Sequence, residues 1–311
     1  MIVRSEGRPG GKKFLAVPAD RKHVSLAGAS LTCENQLLRS LDRLPPFSPI
    51  LNRLLATLAK EDVSFAELSE VIEKDTVLAG NVLRLVNSAL YGLPGSVNSV
   101  RHAVAILGMV KLRNVVMSLS ISRMWPTVRT PEGWSSARFN VHSVAAAILS
   151  DLLAQRLRAP YPEGAFVAGL MHDIGKLLIG VALPREFEMI RARMELGGCS
   201  QEDCEREVLG TTHAAVSGAA LQKWNLPSAI QRAVTFHHTP EQANHGQLDL
   251  SHVVQAADLL AIDLGHGLAA FCEAQPGKFS EETLENLGVA RHVPRILEQF
   301  QPEFESLQGF F

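Results

Sequence analysis

The sequence predicts an all-helical protein, and three observations support this. Apolar residues recur at three- and four-residue intervals along most of the 311-residue chain, which is the spacing of a buried helix face. No segment alternates apolar and polar residues as a half-buried strand would. Prolines and a glycine between Trp125 and Trp134 mark a break between two helical regions. We therefore expect a compact helical bundle of two subregions.

The first subregion contains a series of predicted helices. Three prolines before residue 50 precede a helix through Leu51 and Leu58. Ser64 and Glu67 match a capping box for a helix from Phe65 to Lys74. Two short helices are predicted around 103–107 and 112–121. After the helix that ends at Lys74 and before these two short helices, a further helix places four apolar residues on one face: Leu78, Val82, Leu85 and Val86.

The second subregion begins with a long helix that carries a single apolar stripe through Val141, Ile148 and Leu152. The segment 281–311 is amphipathic, and its apolar face would pack on the core or mediate a homodimer. Further helices are predicted over 163–180, 184–197, 203–223, 226–237, 250–264 and 291–309. We divide the chain into a flexible leader over 1–30, an N-terminal helical half over 31–130, a second half over 135–265 and a C-terminal helical extension over 266–311.

Composition and charge exclude several classes of function. Hydrophobic residues make up 46% of the chain and charged residues 20%, as in a globular protein with a full core. The net charge of -2 gives no overall basic field for nucleic acid, so DNA binding is not expected. No apolar run approaches the length of a membrane span, and residues 1–30 lack a signal-peptide core, so no membrane association is expected.

The cysteines favour a reducing compartment. The chain has four, and no two of them form a CxxC pair. Neither a zinc ribbon nor a disulfide framework is therefore expected, and a cytoplasmic location fits best. The four are Cys33, Cys199, Cys204 and Cys272.

Seven histidine and aspartate residues stand out as candidate metal ligands. Imidazole and carboxylate together favour a transition metal, with iron or manganese ahead of zinc and one or two ions per site. His172 and Asp173 are adjacent, so they diverge by about 100° on a helix and need ligands from other helices to complete a site. Their carboxylate could also bridge two ions. The candidates are His142, His172, Asp173, His213, His237, His238 and Asp258.

The order of these residues resembles that of the HD superfamily of metal-dependent phosphohydrolases. The closer resemblance is to the HDOD family, the HD-related output domain of bacterial signalling. It is carried by several motifs in order, which span about residues 35 to 265. These are Leu44-Pro45-Pro46, the run from Glu73 to Ser88, Tyr91, the stretch from Ser99 to Gly108, Gly169 to Lys176, Thr212 to Gly218, Trp224 to Pro227 and His237 to Pro240.

The resemblance implies an HD-domain-like bundle with an additional N-terminal helical subregion. It also implies that His142, His172, Asp173 and Asp258 form a first ligand set, and that the remaining three histidines add a second. Members of this family act mostly as signalling modules through protein partners, and many have lost ligands. In this chain every ligand position is filled, which favours a bound metal.

The resemblance leaves two functions open, a regulatory module and a phosphohydrolase acting on a nucleotide or another phosphodiester. The related HD-GYP proteins hydrolyse cyclic di-GMP, but no Gly-Tyr-Pro follows His237-His238 here, which disfavours that substrate. In an enzyme, Asp173 and Lys176 would be catalytic. Lys176 lies one helical turn beyond His172, where it would neutralise a substrate phosphate or pair with Asp173.

Overall fold

The computed structural model describes residues 33, 35–37, 39–40, 49–57, 65–123, 130–268 and 280–310. Every regular element within these ranges is helical, which confirms the predicted all-α fold. The predicted leader over 1–30 and the Ser64 cap lie outside the described residues. The α-helices are α1 (Pro49–Thr57), α2 (Phe65–Glu73), α3 (Thr76–Val86), α4 (Val100–Leu107), α5 (Met109–Ser122), α6 (Ser136–Leu157), α7 (Ala165–Met171), α8 (Ile174–Ala182), α9 (Pro184–Leu196), α10 (Gln201–Leu209), α11 (His213–Lys223), α12 (Ser228–Thr235), α13 (Leu250–Ala261), α14 (Glu281–Asn286) and α15 (Val293–Gln308).

The N-terminal helices pack through the apolar face that the sequence predicts. All four residues of the α3 stripe are buried. Asp75 caps this helix by accepting a hydrogen bond from the Leu78 amide at 2.9 Å. At its other end the Asn87 side chain donates to the Leu83 and Val97 carbonyls and accepts from the Val97 amide. The loop after α3 is therefore tied back to the helix.

Helix α6 is the central helix of the second subregion and packs against α7, α13 and α15. The sequence predicts one apolar stripe, but residues 142–150 are all buried. Small residues make this possible, because a Cβ on Gly169 of α7 would lie 2.6 Å from the Ala146 carbonyl oxygen of α6. The close approach of α7 to α6 positions His142 opposite His172.

Two predicted helices are each interrupted, and both interruptions lie at the candidate site. The predicted helix over 163–180 breaks at His172 and Asp173, between α7 and α8. The predicted helix over 203–223 breaks between α10 and α11, where Gly210 has a φ of 75° that favours glycine. Thr212 then caps α11 by accepting from the Ala215 amide. Periodicity alone missed both breaks, because the apolar pattern continues across them.

The expectation that no segment reaches the length of a membrane span also needs correction. Residues 162–182 are long and apolar enough to cross a bilayer, since an 18-residue stretch within them has only two charged residues, Asp173 and Lys176. However, 83% of this apolar 18-residue stretch is buried inside the protein. The bent pair α4 and α5 passes the same test together. Burial identifies 162–182 as a core segment.

Two of the four cysteines are bonded to each other. Cys199 and Cys204 form a disulfide, with Cα atoms 6.4 Å apart. Ser200 caps α10 between them, and the first turn of the helix brings Cys204 back toward Cys199. Cys33 is a free thiol, and Cys272 lies outside the described residues. The bridge closes one short loop and forms no framework.

The amphipathic C-terminal segment packs on the core through its apolar face. Helix α15 lies against α6, and Lys111 of α5 forms an ion pair with Glu303 at 3.3 Å. The homodimer stays a prediction. The buried residues of this segment are Leu284, Val289, Ile296, Phe300, Phe304 and Leu307.

Substituting Gly175 by alanine is expected to lower the free energy of unfolding by about 2 to 3 kcal/mol. A Cβ at Gly175 would collide with the His213 carbonyl oxygen and approach Ser217 Oγ, so α8 and α11 would have to separate. Urea unfolding of the metal-free protein measures the effect. Gly80→Ala is the control, because nothing lies within 4 Å of its Cβ in α3 and the change should stabilise by about 0.5 to 1 kcal/mol. Equal effects of the two changes would contradict the prediction.

Asp151 of α6 gives stability a predicted pH dependence. Burial, together with the nearby Glu303 carboxylate, raises its pKa from 3.8 to about 6. The folded state therefore binds more protons than the unfolded state between these values, and the carboxylate increasingly destabilises the fold as pH rises through that window. We expect Asp151→Asn to raise the free energy of unfolding by about 1 to 2 kcal/mol at pH 7.5 and by almost nothing at pH 4. Urea unfolding at both pH values tests this, and an equal gain at both would exclude the raised pKa as its cause.

Candidate metal centre

The seven candidate ligands, which are distant in sequence, lie in one cluster. His142 comes from the middle of α6, the His172-Asp173 pair from the junction of α7 and α8, and Asp258 from α13. His213 is the first residue of α11, and the two adjacent histidines follow the end of α12. Six of the seven are buried, and only His238 has an exposed edge, with 26% of its side chain accessible. The buried six are His142, His172, Asp173, His213, His237 and Asp258.

His142, His172 and Asp173 form the first of the overlapping ligand groups. His142 Nε2 lies 3.2 Å from His172 Nε2 and 3.3 Å from Asp173 Oδ2. It lies equally far, at 3.3 Å, from Asp258 Oδ1. His172, His237 and Asp258 form another group that shares His172 with the first. These atoms are close enough to bind a common ion.

Asp173, His213, His237 and His238 form the group on the other side of the cluster. His213 Nε2 lies 3.0 Å from His238 Nε2 and 3.3 Å from Asp173 Oδ1. His237 Nε2 lies 3.8 Å from the same carboxylate oxygen. Asp173 thus directs Oδ1 toward this group and Oδ2 toward the first, which is the arrangement of a bridging carboxylate.

The break between α7 and α8 frees the Asp173 carboxylate for this role. Asp173 occupies the N-cap position of α8, but its side chain makes no capping hydrogen bond. The Gly175 amide instead donates to Ser217 Oγ of α11 at 2.7 Å, which satisfies one of the exposed amides of the helix start. Ser217 therefore replaces the usual cap, and Asp173 points into the cluster.

Hydrogen bonds at Nδ1 fix the tautomer of three ligand histidines. His172 Nδ1 donates to the Gly169 carbonyl at 2.7 Å and His237 Nδ1 to the Val234 carbonyl at 2.7 Å. His142 Nδ1 donates to the His266 carbonyl at 3.1 Å. A carbonyl oxygen can only accept, so a proton is on Nδ1, and in the neutral ring the Nε2 lone pair faces the cluster.

The fourth, His213, is held by a carboxylate. Glu205 accepts from the His213 backbone amide at 2.7 Å and from its Nδ1 at 2.8 Å. Glu205 is itself buried, with 2% of its surface exposed. A carboxylate that orients a ligand histidine is a common supporting contact at metal sites. Glu205 therefore supports the second group without facing the cluster.

The resulting chemistry fits a cation. Lone pairs of His142 and His172 face each other at 3.2 Å, beside carboxylate oxygens that also only accept. Three buried atoms, Asp173 Oδ1, His237 Nε2 and Asp258 Oδ1, have no hydrogen-bond partner among the described residues. Facing acceptors repel unless a proton or metal ion lies between them. The mixed nitrogen and oxygen donors suit a divalent transition metal.

Electrostatics of the metal-free cluster agree with this. Burial alone would raise the pKa of Asp173, but the Lys176 ammonium and the surrounding imidazoles outweigh it and hold the pKa well below its usual range. Burial opposes protonation of His142 and His213, yet the neighbouring carboxylates raise the pKa of each to about 9. Protons therefore take the place of a cation when metal is absent, and metal must displace them.

Lys176 forms the ion pair with Asp173 that the sequence predicts as one of its two roles. Its Nζ lies 2.6 Å from Asp173 Oδ2, and 11% of its side chain is exposed. The ion pair keeps the Asp173 carboxylate charged.

Glu205 is not among the site residues that the sequence predicts. A glutamate on a helix usually lies on a solvated face, as Glu207 does with 61% of its side chain exposed. On one continuous helix Glu205 and His213 would be about 12 Å apart along the axis. The turn at Gly210 brings them into contact instead. A buried position for Glu205 could be found only after this break was known.

An all-helical chain whose buried cluster surrounds a His-Asp pair is a protein of the HD type. The family model of the HDOD domain matches residues 44–240, and the chain belongs to the HDOD family. This confirms the resemblance noted from the sequence motifs.

Relatives with no described function share parts of the chain. It is 24% identical over 226 residues to an uncharacterized protein of Treponema pallidum (strain Nichols), which is 70% of this chain and 42% of that relative. It is 28% identical over 144 residues to the uncharacterized protein YuxH of Bacillus subtilis (strain 168), which is 46% of this chain and 33% of YuxH. The chain thus spans less than half the length of these curated relatives.

Solved structures share the fold over most of the chain. An HDOD domain protein of unknown function from Geobacter sulfurreducens superposes with a TM-score of 0.74 at 24% identity, covering 92% of this chain and 99% of that one. A Shewanella amazonensis SB2B protein, provisionally named a phosphohydrolase, gives 0.71 at 26% identity over 88% and 97%. A Marinobacter aquaeolei VT8 protein, provisionally named a signal transduction protein, gives 0.69 at 20% over 92% and 68%.

Proposed function

We propose that this HDOD protein is a regulatory signalling protein that acts through protein partners and holds one or two divalent transition metal ions in the cluster. Iron or manganese is expected ahead of zinc, because carboxylate oxygens suit manganese and the combination of imidazole with carboxylate suits iron. The observation that carries the metal site is the set of facing Nε2 and carboxylate acceptors, of which Asp173 Oδ1, His237 Nε2 and Asp258 Oδ1 have no hydrogen-bond partner among the described residues. Such an arrangement is stable only around a cation.

The burial of the cluster supports regulation ahead of turnover. A catalytic metal must keep a coordination position that substrate can reach. Here six of the seven ligands are buried, and the accessible edge of the cluster is at His238. A buried centre of this kind suits a metal that stabilises one conformation of the domain and so sets its affinity for a partner.

A metal-dependent phosphohydrolase acting on a nucleotide or another phosphodiester is the second candidate. It is favoured by the exposed edge of His238 and by Lys176, whose ammonium beside Asp173 would add positive charge near a bound phosphate. The 26% identity to the Shewanella protein also supports it. Bound ions would supply Lewis acidity toward phosphoryl oxygens and lower the pKa of a bound water.

Two measurements test the proposal. Metal content is determined after purification without chelator or nickel and supplementation with iron or manganese. Fewer than about 0.2 ions per chain would contradict the metal site, since a folded site of this kind binds tightly. The metal-loaded protein and Asp173→Ala are then compared on bis(p-nitrophenyl) phosphate and on nucleotides. We expect equal background rates for the two proteins. A wild-type rate at least about tenfold above that of the variant would contradict a purely regulatory function and support a phosphohydrolase.

A further inference from the structure

The ligand histidine His142 differs from His172 and His237 in how it is oriented. The latter two donate from Nδ1 to a carbonyl three residues earlier in the chain, so local structure fixes their rings. His142 donates to the carbonyl of His266, which is 124 residues away. The direction of its Nε2 therefore depends on the position of a distant segment.

That segment is the wide helical turn Ile262–His266, which follows α13 and contains Gly265 at a φ of 83°. The C-terminal part of the chain holds it at two points. Asp263 Oδ2 accepts from the Ser280 amide at 2.9 Å and from its hydroxyl at 2.6 Å, just before α14. The His266 ring lies 4.3 Å from the ring of Phe304 in α15.

The two residues of the C-terminal part that hold this turn are buried, and neither is a candidate ligand. Ser280 is 5% exposed and Phe304 is 2% exposed. The Phe304 ring stacks in turn on Phe300 at 5.1 Å, and both lie on the face of α15 that packs against the core. A chain of packed contacts thus leads from α15 through His266 to His142.

We propose that His266 and Phe304 are positioning residues for the metal centre, with α15 holding the His266 carbonyl at Nδ1 of His142. This holds the His142 Nε2 lone pair toward Asp173 and Asp258. The inference rests on the proposed metal site. The segment involved lies beyond residues 44–240 that match the family model, so this support comes from the C-terminal extension of the chain.

Two glycine substitutions separate this role from general destabilisation. Gly265 and Gly288 are both exposed, both have positive φ, and a Cβ at either would meet nothing within 4 Å. Alanine therefore imposes a similar backbone cost at each position. Only Gly265 adjoins the carbonyl that His142 uses. Phe304→Leu and Ile296→Val form a second pair, since both residues are buried on α15 and Ile296 lies two turns before Phe304.

Manganese affinity is measured by chelator competition, and the hydrogen-bonded Nδ1–H of His142 by NMR of the metal-free protein, assigned by its loss in His142→Gln. We expect Gly265→Ala and Phe304→Leu to weaken manganese binding about 10-fold or more and to speed exchange of this proton. Gly288→Ala and Ile296→Val should do neither. Melting temperatures of all four are compared.

Equal affinity and equal proton exchange in the Gly265 and Gly288 variants would overturn the proposal. A wild-type protein that takes up no manganese, iron or zinc would contradict the proposed metal function instead. In that case the NMR signal of the metal-free protein still decides the positioning role, because it reports the His142 to His266 hydrogen bond directly. A signal unaffected by Gly265→Ala would then overturn it.

Discussion

Replacing Asp173 by alanine is expected to empty both sides of the metal cluster at once. Its Oδ2 lies 3.3 Å from His142 Nε2 and its Oδ1 lies 3.3 Å from His213 Nε2, so one substitution removes an oxygen donor from two ligand groups. We expect metal content to fall from one or two ions to fewer than about 0.2 per chain. Elemental analysis of protein purified in parallel with the wild type measures this.

Two further variants define the cause of that loss. Asp173→Asn keeps the volume but removes the charge, and we expect it to bind metal at least about 100-fold more weakly than the wild type. Asp151→Asn is the matched control, because Asp151 is a largely buried carboxylate of α6 that belongs to none of the ligand groups. Full metal content in Asp173→Ala would show that the ligand groups do not depend on this residue.

Replacing Glu205 by alanine is expected to lower the free energy of unfolding by about 3 to 5 kcal/mol. The substitution leaves the buried amide and Nδ1–H of His213 without the carboxylate that accepts from both. It also removes the negative charge that orients the His213 ring and makes its Nε2 a stronger metal ligand. We therefore expect metal affinity to fall about 10- to 100-fold. Urea unfolding of the metal-free protein and chelator competition measure the two effects separately.

Glu207→Ala provides the control on the same helix. Glu207 is two residues further along α10, and its side chain is 61% exposed, where it pairs with Arg193 at the surface. We expect this change to alter stability by less than about 1 kcal/mol and to leave metal binding unchanged. If both glutamate variants behaved alike, Glu205 would have no special role at His213.

Local patterns along the chain were sufficient for the fold class and for the identity of the candidate ligands. The apolar spacing of Leu78, Val82, Leu85 and Val86 predicts a buried helix face because helix periodicity is a property of neighbouring residues. The seven histidines and aspartates predict a shared site because imidazole and carboxylate side chains together are typical ligands of transition metals. All seven lie in one cluster, and their role as ligands stays a prediction until metal is measured.

Helix boundaries at the site were not predictable in the same way. The sequence suggested continuous helices across His172-Asp173 and across Gly210, since the apolar pattern does not stop there. At His172-Asp173, Ser217 of α11 satisfies the amide of Gly175, which depends on tertiary packing. At Gly210 the break rests on local features, the positive φ of Gly210 and the cap at Thr212. Burial of residues 142–150 on nearly every side of α6 likewise depends on which helices surround it.

Sequence alone therefore established an all-helical HDOD protein with a complete set of histidines and aspartates. Tertiary structure decided how that set is oriented: Glu205 at His213, Lys176 at Asp173, and the His266 carbonyl at His142. The His266 contact joins positions 124 residues apart. Periodicity and spacing report only how residues follow one another along a helix, whereas hydrogen bonds between helices depend on their packing in three dimensions.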